Sequence, residues 1–166
     1  MENIILIGMP GCGKSTVGVV LANKLGSTFI DSDLRIQERE KRLLHEIIEQ
    51  EGLDRFNEIE EEVNASLEAD RTVIATGGSV VYGPRAMRHL SGMGTIVYLK
   101  LPYREIKKRL GDLRQRGVSF RKGQTLWDLY QERVPLYERY ANVTINARGL
   151  PLRRVVEKII KEVCEK

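Results

Sequence analysis

Cysteine, tryptophan and proline are scarce in this chain, and long apolar runs are absent. Its 166 residues include two cysteines, one tryptophan and five prolines, and 6% are aromatic. Cys12 lies inside a glycine-rich turn, which argues against a disulfide framework. No apolar run approaches the length of a membrane span, and the N-terminus lacks the basic-then-apolar pattern of a secretory signal. We therefore expect a cytoplasmic protein with no membrane partner.

Zinc and nucleic-acid sites are also disfavoured. His45 and His89 have no partner pattern, and no cysteine–histidine cluster predicts zinc. The formal net charge of +4 comes largely from a basic cluster made of Arg104, Lys107, Lys108, Arg109, Arg114, Arg116 and Arg121. Such a cluster indicates a nucleic-acid surface, a solvated helix face, or arginines that close over phosphates. No aromatic residues alternate with these arginines to stack bases, so nucleic acid ranks last and we expect no such partner.

A phosphate-binding turn is the clearest motif. Gly8-Met9-Pro10-Gly11-Cys12-Gly13-Lys14-Ser15 matches G-x-x-x-x-G-K-[ST]. The apolar run at 3–7 before it predicts a buried strand, and the apolar residues after it recur at helical spacing as far as Gly26. An ordinary glycine turn before a helix is the alternative, but it does not require this strand–loop–helix setting. The nucleotide contacts are therefore assigned to Gly11, Cys12, Gly13, Lys14, Ser15 and Thr16. Within this set the backbone would cradle phosphates, Lys14 would reach the β- and γ-phosphates, and Ser15 would bind Mg²⁺.

Strands and helices alternate along the rest of the chain. Strands are predicted at 3–7, 28–30, 72–76, 95–99 and 142–146. Helices are predicted after Ser15, from Leu34, at 44–50, 53–69, 84–90 and 102–110, from Thr125 and after Pro151. Pro135 predicts a kink or break, and the polar stretch 111–123 predicts a mobile loop. This order is typical of an α/β fold, a three-layer α/β/α sandwich around a parallel sheet, in one domain spanning 1–166.

Polar residues follow the second and third strands, at the sheet edge where ligands bind. Asp31 and Asp33 stand at i and i+2, so an extended backbone would direct both carboxylates to one side. One could hold Mg²⁺ and the other could orient or deprotonate a substrate hydroxyl, unless Ser32 or Asp33 only caps the next helix. Gly77-Gly78-Ser79 would let a ligand approach the backbone closely, or would form a simple tight turn. Arg133 would be either a surface ion pair or a clamp for a substrate carboxylate.

The motifs, taken in order, resemble those of the shikimate kinase family, within the nucleoside-monophosphate-kinase-like P-loop group. They are Gly8–Ser15, Asp31-Ser32-Asp33, Phe56-x-x-x-Glu60, Gly77-Gly78 and Glu132-Arg133-x-Pro135-Leu136-Tyr137. The resemblance runs nearly end to end. It implies a five-stranded parallel sheet, a substrate-binding helical segment at about 34–62 and an arginine-bearing lid at about 111–124. It also implies that MgATP phosphorylates the 3-hydroxyl of shikimate.

The resemblance further implies roles for single residues. Asp33 would bind the substrate hydroxyls and activate the nucleophile, and Arg133 would grip the carboxylate. Asp31 would join Ser15 on Mg²⁺, Arg109 would lie near adenine, and the lid arginine Arg116 would join Lys14 and Asp33 in catalysis. The implied acceptor set is Asp33, Asn57, Gly77, Gly78, Ser79 and Arg133.

Three positions depart from the family pattern. Asn57 stands where the family has an arginine on the carboxylate, Ser79 stands where it has a third glycine, and Arg116-Gly117-Val118 replaces Arg-Pro-Leu-Leu. A neutral residue at 57 forgoes a charge-assisted contact worth about 1.5–3 kcal/mol, or roughly ten- to a hundredfold in affinity. Shikimate is the leading acceptor. A kinase with another small acceptor and a nucleotide-binding regulator that transfers no phosphate remain the alternatives, and in each case we expect a monomer.

Overall fold

The secondary structure follows the predicted alternation. The structure is a computed structural model that describes residues 2–110 and 120–165. The elements are β1 Asn3–Ile7, α1 Lys14–Leu25, β2 Thr28–Asp31, α2 Ser32–Glu40, α3 Leu44–Glu51, α4 Leu53–Ala65, β3 Thr72–Ala75, α5 Pro84–Met93, β4 Gly94–Lys100, α6 Tyr103–Arg109, α7 Leu126–Tyr140, β5 Val143–Asn146 and α8 Leu152–Ile159. A 3-10 turn, Val80–Tyr82, follows β3, and α8 continues into a π-helical turn, Ile160–Cys164.

The five strands form one parallel sheet in the order β2-β3-β1-β4-β5. Ile5 of β1 is paired with Ile74 of β3 on one side and with Ile96 of β4 on the other. Every residue of β1 is buried, as expected of a strand covered on both faces. Helix α1 packs against β2, β3 and α8, whereas α5 and α7 pack against β4. The α/β sandwich with a five-stranded parallel sheet is thus confirmed.

The sheet reverses its strand order at β1. From β1 the chain moves outward to the edge strand β2, returns through β3 to the near side of β1, and then crosses to β4 on the far side. A crevice opens at the carboxyl ends of the strands where such a reversal occurs, and ligands bind there. The segments that follow β1, β2 and β3 all begin at this edge. The sheet topology therefore gathers the three predicted ligand-binding stretches.

Helices α2 to α4 enclose a second apolar cluster beside the sheet. Its buried members are Ile36, Ile47, Phe56, Ile59 and Val63. They come from all three helices, so this part of the chain packs around its own small core. The apolar face of α4 recurs at i+3 and i+4, which is what buries Phe56, Ile59 and Val63 together. These helices span the stretch predicted to bind the acceptor, and that role stays a prediction.

Several element boundaries differ from the sequence expectation. Helix α2 begins at Ser32 rather than Leu34, and α4 ends at Ala65 rather than Ala69. The Ser66 hydroxyl donates to Val63 O at 2.9 Å, a local bond that competes with further helix. Helix α7 runs through Pro135 without a break, because a proline removes one backbone bond while Leu129, Arg133 and Tyr137 stay buried along one face. Most of the predicted mobile loop, residues 111–119, lies outside the described residues.

None of the helices in residues 2–110 and 120–165 combines the length and the apolar composition that crossing a bilayer requires.

Candidate active site

The turn between β1 and α1 has the geometry of an anion-binding loop. Gly13 caps α1 with a φ of 98°, a left-handed conformation that favours glycine. A Cβ at Gly8 would lie 2.8 Å from Leu99 O, so the loop packs too tightly for any side chain there. The buried Lys14 ammonium donates to Gly8 O at 2.7 Å and to Met9 O at 3.0 Å. These bonds hold the cation against the loop, next to the N-terminus of α1.

Ser15 and Asp31 form an oxygen pair beside this loop. The Ser15 hydroxyl donates to Asp31 Oδ2 at 2.9 Å. The other oxygen, Asp31 Oδ1, accepts from Asp33 N at 3.0 Å and caps α2. The extended backbone therefore ends at Asp31, and Asp33 lies in the first helical turn. The predicted extended i, i+2 geometry that would align the two carboxylates is therefore wrong. The alternative in which Ser32 or Asp33 caps the helix is also wrong, because Asp31 is the cap.

The chemistry of the Ser15–Asp31 pair fits magnesium. A hydroxyl and a carboxylate are the hard oxygen donors that Mg²⁺ prefers, and this ion commonly keeps several waters and phosphate oxygens as further ligands. Among the described residues there is no group of three or more histidine, cysteine or acidic side chains that would cage a metal by itself. Nucleotide phosphates and water would therefore have to complete the coordination of a magnesium ion held here.

Two carboxyl groups meet at Gly77, on the side where a side chain would begin. A Cβ at Gly77 would lie 2.6 Å from Asp33 Oδ1 and 2.7 Å from Glu60 Oε2, so the glycine leaves room for both acids. Burial and the neighbouring Asp31 carboxylate raise the pKa of Asp33 to about 6, against the opposing influence of Lys14. Burial and the Asp33 carboxylate raise the pKa of Glu60 to about 7. A carboxylate whose pKa lies near neutrality is suited to accept a proton from a hydroxyl.

Arg133 closes the other side of the cleft. It is 1% exposed, which rules out the alternative of a surface ion pair. Its Nε donates to Tyr82 Oη at 3.3 Å, and its guanidinium lies 5.3 Å from the centroid of the Tyr82 ring. The Tyr137 hydroxyl, one turn further along α7, donates to Gly78 O at 2.6 Å. The arginine and the turn after β3 are thereby held together.

These groups line one cleft of about 540 Å³, and a smaller cavity of about 190 Å³ lies beyond the phosphate loop. The cleft brings together Lys14, Ser15, Asp33, Gly77, Gly78, Ser79 and Arg133. The smaller cavity is lined by Cys12, Gly13, Thr16, Ala147, Leu150 and Leu152, among others. Arg109 lines both, with Nη1 3.4 Å from Gly11 O. The loop between β1 and α1 thus lies between a carboxyl pair on one side and a partly apolar pocket on the other.

Comparison with known proteins agrees with this arrangement. The family model described as shikimate kinase matches residues 10–164. The chain belongs to the shikimate kinase family. It is similar to a shikimate kinase from Thermodesulfovibrio yellowstonii, with 39% identity over 165 residues, 98% of this chain and 95% of that protein. Shikimate kinases are ATP-dependent phosphotransferases that use an alcohol acceptor.

Solved shikimate kinase structures have the same fold. The Acinetobacter baumannii enzyme in complex with shikimate is 30% identical, with a TM-score of 0.84 over 99% of this chain and 94% of that one. The Aquifex aeolicus enzyme is 31% identical, with a TM-score of 0.83 over 96% of this chain and 94% of that one. Identity and coverage at this level place the whole described chain within the shikimate kinase family.

Asn57, an acceptor residue implied by the shikimate kinase resemblance, does not line the cleft. Asn57 lines a separate cavity of about 300 Å³, together with Tyr82, Arg121 and Glu132. Tyr82 links this cavity to the cleft, because it contacts Arg133. Arg116 lies outside the described residues, as does most of the predicted lid.

Three residues at or next to the cleft were not among the predicted site residues: Glu60, Tyr82 and Tyr137. Glu60 interrupts the apolar face of α4 one residue after Ile59, and a charge in such a stripe was a usable signal. Glu60 and Tyr137 also belong to motifs quoted for the shikimate kinase family. Tyr82 follows two valines in a short turn and carries no sequence signal that singles it out.

Proposed function

We propose that this chain transfers the γ-phosphoryl group of MgATP to the 3-hydroxyl of shikimate. The observation that supports the proposal most is the single cleft that joins the phosphate loop to Asp33 and Arg133. In such a cleft the acceptor hydroxyl and the terminal phosphate can be held in line, and positioning supplies much of the rate enhancement in phosphoryl transfer. The carboxylate of shikimate gives the buried guanidinium of Arg133 a natural partner.

The nucleotide would occupy the loop and the smaller cavity. The backbone of Gly11, Cys12, Gly13, Ser15 and Thr16 would donate to the phosphates, because loop N–H groups and a helix N-terminus favour anions. Lys14 would exchange its bonds to Gly8 O and Met9 O for the β- and γ-phosphates. The cavity beyond Gly13 would take the base, with Arg109 against adenine.

Ser15 and Asp31 would hold Mg²⁺, Ser15 directly and Asp31 directly or through water. When bound, the ion neutralises the charge that develops on the phosphates during transfer. Asp31 would cap α2 with Oδ1, as it does in this structure, and Oδ2 would face the metal. The cap and the metal site therefore share one side chain without competing for the same atom.

The acceptor would be held by Asp33, Gly77, Gly78, Ser79 and Arg133. Asp33 would accept the proton of the attacking hydroxyl, and Arg133 would bind the acceptor carboxylate. Asn57 would act from the neighbouring cavity rather than from the cleft wall. Arg116 would stabilise the transferring phosphoryl group from the lid, a role that rests on the resemblance alone.

We further propose that the chain acts as a monomer, without a nucleic-acid or membrane partner. Its location would be the cytoplasm, since an ATP-dependent metabolite kinase needs a compartment that supplies ATP. Size-exclusion chromatography with light scattering at working concentration tests the monomer. A stable dimer mass would contradict it.

A coupled ADP-release assay over a panel of small hydroxy acids and polyols tests the activity. We expect saturable, shikimate-dependent ADP release with one shikimate phosphate formed per ADP. Faster turnover of another compound would show that the acceptor is not shikimate, an alternative suggested by Asn57 and Ser79. Slow hydrolysis that no acceptor accelerates would favour a nucleotide-binding regulator over a kinase.

A further inference from the structure

Glu60 is a buried acid whose hydrogen bond comes from a residue that departs from the family pattern. The carboxyl is 2% exposed, and the Ser79 hydroxyl donates to its Oε1 at 2.5 Å. A carboxylate taken out of water is costly unless donors or cations replace its hydration. Ser79 is 5% exposed, so this bond is itself shielded from solvent. A glycine at position 79 would leave Oε1 without this donor.

The same bond sets the direction of the other carboxyl oxygen. With Oε1 held by Ser79, Oε2 lies 2.7 Å from the point where a Gly77 Cβ would stand. Asp33 Oδ1 lies 2.6 Å from that point. Ser79 therefore turns the free oxygen of Glu60 toward Asp33, on the side of the cleft where the acceptor would bind.

Position 57 is one of the places on α4 from which a cation could serve Glu60. The two residues are i and i+3 on one helix, a spacing at which oppositely charged side chains pair. This chain has a neutral asparagine there, and Asn57 lines the cavity next to the cleft. The departures at 57 and 79 therefore both affect the Glu60 carboxyl. The asparagine at 57 places no cation near it, and the serine at 79 adds a hydroxyl donor.

The other charges around Glu60 come from three elements. Asp33 of α2 disfavours its ionised form, whereas Arg133 of α7 and Lys14 of α1 favour it. On the 3-10 turn, Tyr82 bonds to Arg133 and Glu132. Four other charged groups on α4 or on the helices packed on it are paired: Arg39 with Glu62, Arg85 with Glu61, Glu46 with Leu43 N, and Glu51 with Arg42.

We propose that Ser79 is a positioning residue for Glu60: it holds one carboxyl oxygen, aims the other at Asp33, and supplies stabilisation that position 57 does not. This inference rests on the proposed function, because it concerns how an anionic acceptor is received. A protonated Glu60 leaves Asp33 as the acidic charge next to the acceptor. An ionised Glu60 adds a second negative charge on the same wall and repels the acceptor carboxylate.

The proposal fixes the sign of a pH effect on acceptor binding. Since the pKa of Glu60 is about 7, we expect KM for shikimate to rise roughly tenfold from about pH 6 to about pH 9, with kcat changing less. Removing the Ser79 donor disfavours the ionised form, so Ser79→Gly moves the rise to higher pH by about one unit. A cation in Asn57→Arg favours the ionised form and moves the rise to lower pH.

A double-mutant cycle tests whether both positions act on the same carboxyl. KM and kcat for shikimate are measured against pH for wild type, Ser79→Gly, Asn57→Arg and the double variant. We expect the double variant to return to within about half a pH unit of wild type, because the two shifts oppose each other at one group. Glu60→Gln should remove the rise. Asn23→Arg, which adds the same charge at an exposed site on α1, should leave it in place.

Two outcomes overturn the proposal. One is a Ser79→Gly variant in which KM for shikimate rises at the same pH as in wild type, and the other is a Glu60→Gln variant in which KM still rises with pH.

A stability measurement without acceptor distinguishes failure of this proposal from failure of the proposed function. A carboxyl with a raised folded pKa binds more protons in the folded state, so stability falls as pH rises from about 4.5 to about 7. Glu60→Gln should flatten that fall, and Ser79→Gly should extend it to higher pH, whether or not shikimate is the acceptor. An unchanged pH dependence of stability in both variants contradicts the role of Ser79 directly.

Discussion

At the scale of single residues, the proposed function gives Lys14 and Asp33 different roles in the reaction. The Lys14 ammonium lies against two loop carbonyls that a phosphate would displace. Asp33 lies across the cleft beside Gly77, with a pKa that burial and Asp31 raise to about 6. At pH 7 it is therefore mostly ionised and able to accept a proton. Under the proposed function, one residue would neutralise charge on the phosphate, and the other would receive the proton of the acceptor.

We predict that Lys14→Ala and Asp33→Asn each lower kcat by roughly a hundredfold or more, because each removes a group that acts on the transition state. Steady-state kinetics at saturating MgATP and shikimate measure the loss. Lys24→Ala and Asp54→Asn are matched controls at exposed positions and should retain activity. Turnover within a few-fold of wild type in either site variant would remove that residue from the mechanism.

At the scale of elements, one face of α7 carries both the arginine proposed to bind the acceptor and the residues that pack the helix on the sheet. Arg133 and Tyr137 are i and i+4 there, and both are buried. Pro135 lies between them without ending the helix, and Tyr137 stacks on Tyr98 of β4 with ring centroids 5.1 Å apart. The helix is thus fixed to the sheet by the residue that also bonds to Gly78 O. A shift of α7 would move Arg133 and the turn after β3 together.

We predict that Tyr137→Phe costs about 1 kcal/mol of unfolding free energy, because Gly78 O loses a buried donor while the ring packing remains. KM for shikimate should rise several-fold, with KM for ATP unchanged, since Gly78 is on the acceptor side. Denaturant unfolding and two-substrate kinetics measure the two effects. Tyr140→Phe, on the same helix and only partly buried, is the control. An equal rise in both KM values would place the effect on the fold rather than on acceptor binding.

At the scale of the whole molecule, the sheet edge joins stretches that lie far apart in sequence. The loop after β1, Asp33 after β2 and the turn after β3 share one cleft with Arg133 of α7. Two ligands that bind this edge of the folded state therefore stabilise the entire molecule by mass action.

We predict that MgADP and shikimate, each at about a hundred times its Kd, each raise the unfolding free energy by about 2.7 kcal/mol. The midpoint of thermal unfolding should rise by several degrees for each ligand. Chelating Mg²⁺ with EDTA should remove most of the ADP contribution and leave that of shikimate alone largely intact. An ADP shift that EDTA does not alter would argue against the Ser15–Asp31 metal site. No shift with shikimate would count against shikimate as the acceptor.

Much of the fold could be predicted from the sequence because strands, turns and helices leave patterns in neighbouring residues. A buried strand, a glycine-rich turn and an amphipathic helix are each encoded within about twenty residues, so β1, the phosphate loop and α1 follow from neighbouring letters. Helix ends were less certain, as at Ser66, where one hydroxyl ends α4 early. The two aspartates lie where β2 ends and α2 begins, as predicted. The relative orientation of their carboxylates depends on Asp31 capping α2, which the i, i+2 spacing does not specify.

The sequence by itself determined the α/β class, the phosphate loop and the shikimate kinase family, because these depend on periodicity and on ordered motifs. Only the tertiary structure decided that Ser79 bonds to Glu60, 19 residues away, and that Tyr137 bonds to Gly78, 59 residues away. It also buried Arg133 and placed Asn57 outside the cleft wall. The physical reason is that the cost of a buried charge depends on which distant side chains share its desolvated space. That neighbourhood exists only after the sheet has brought its strand ends together.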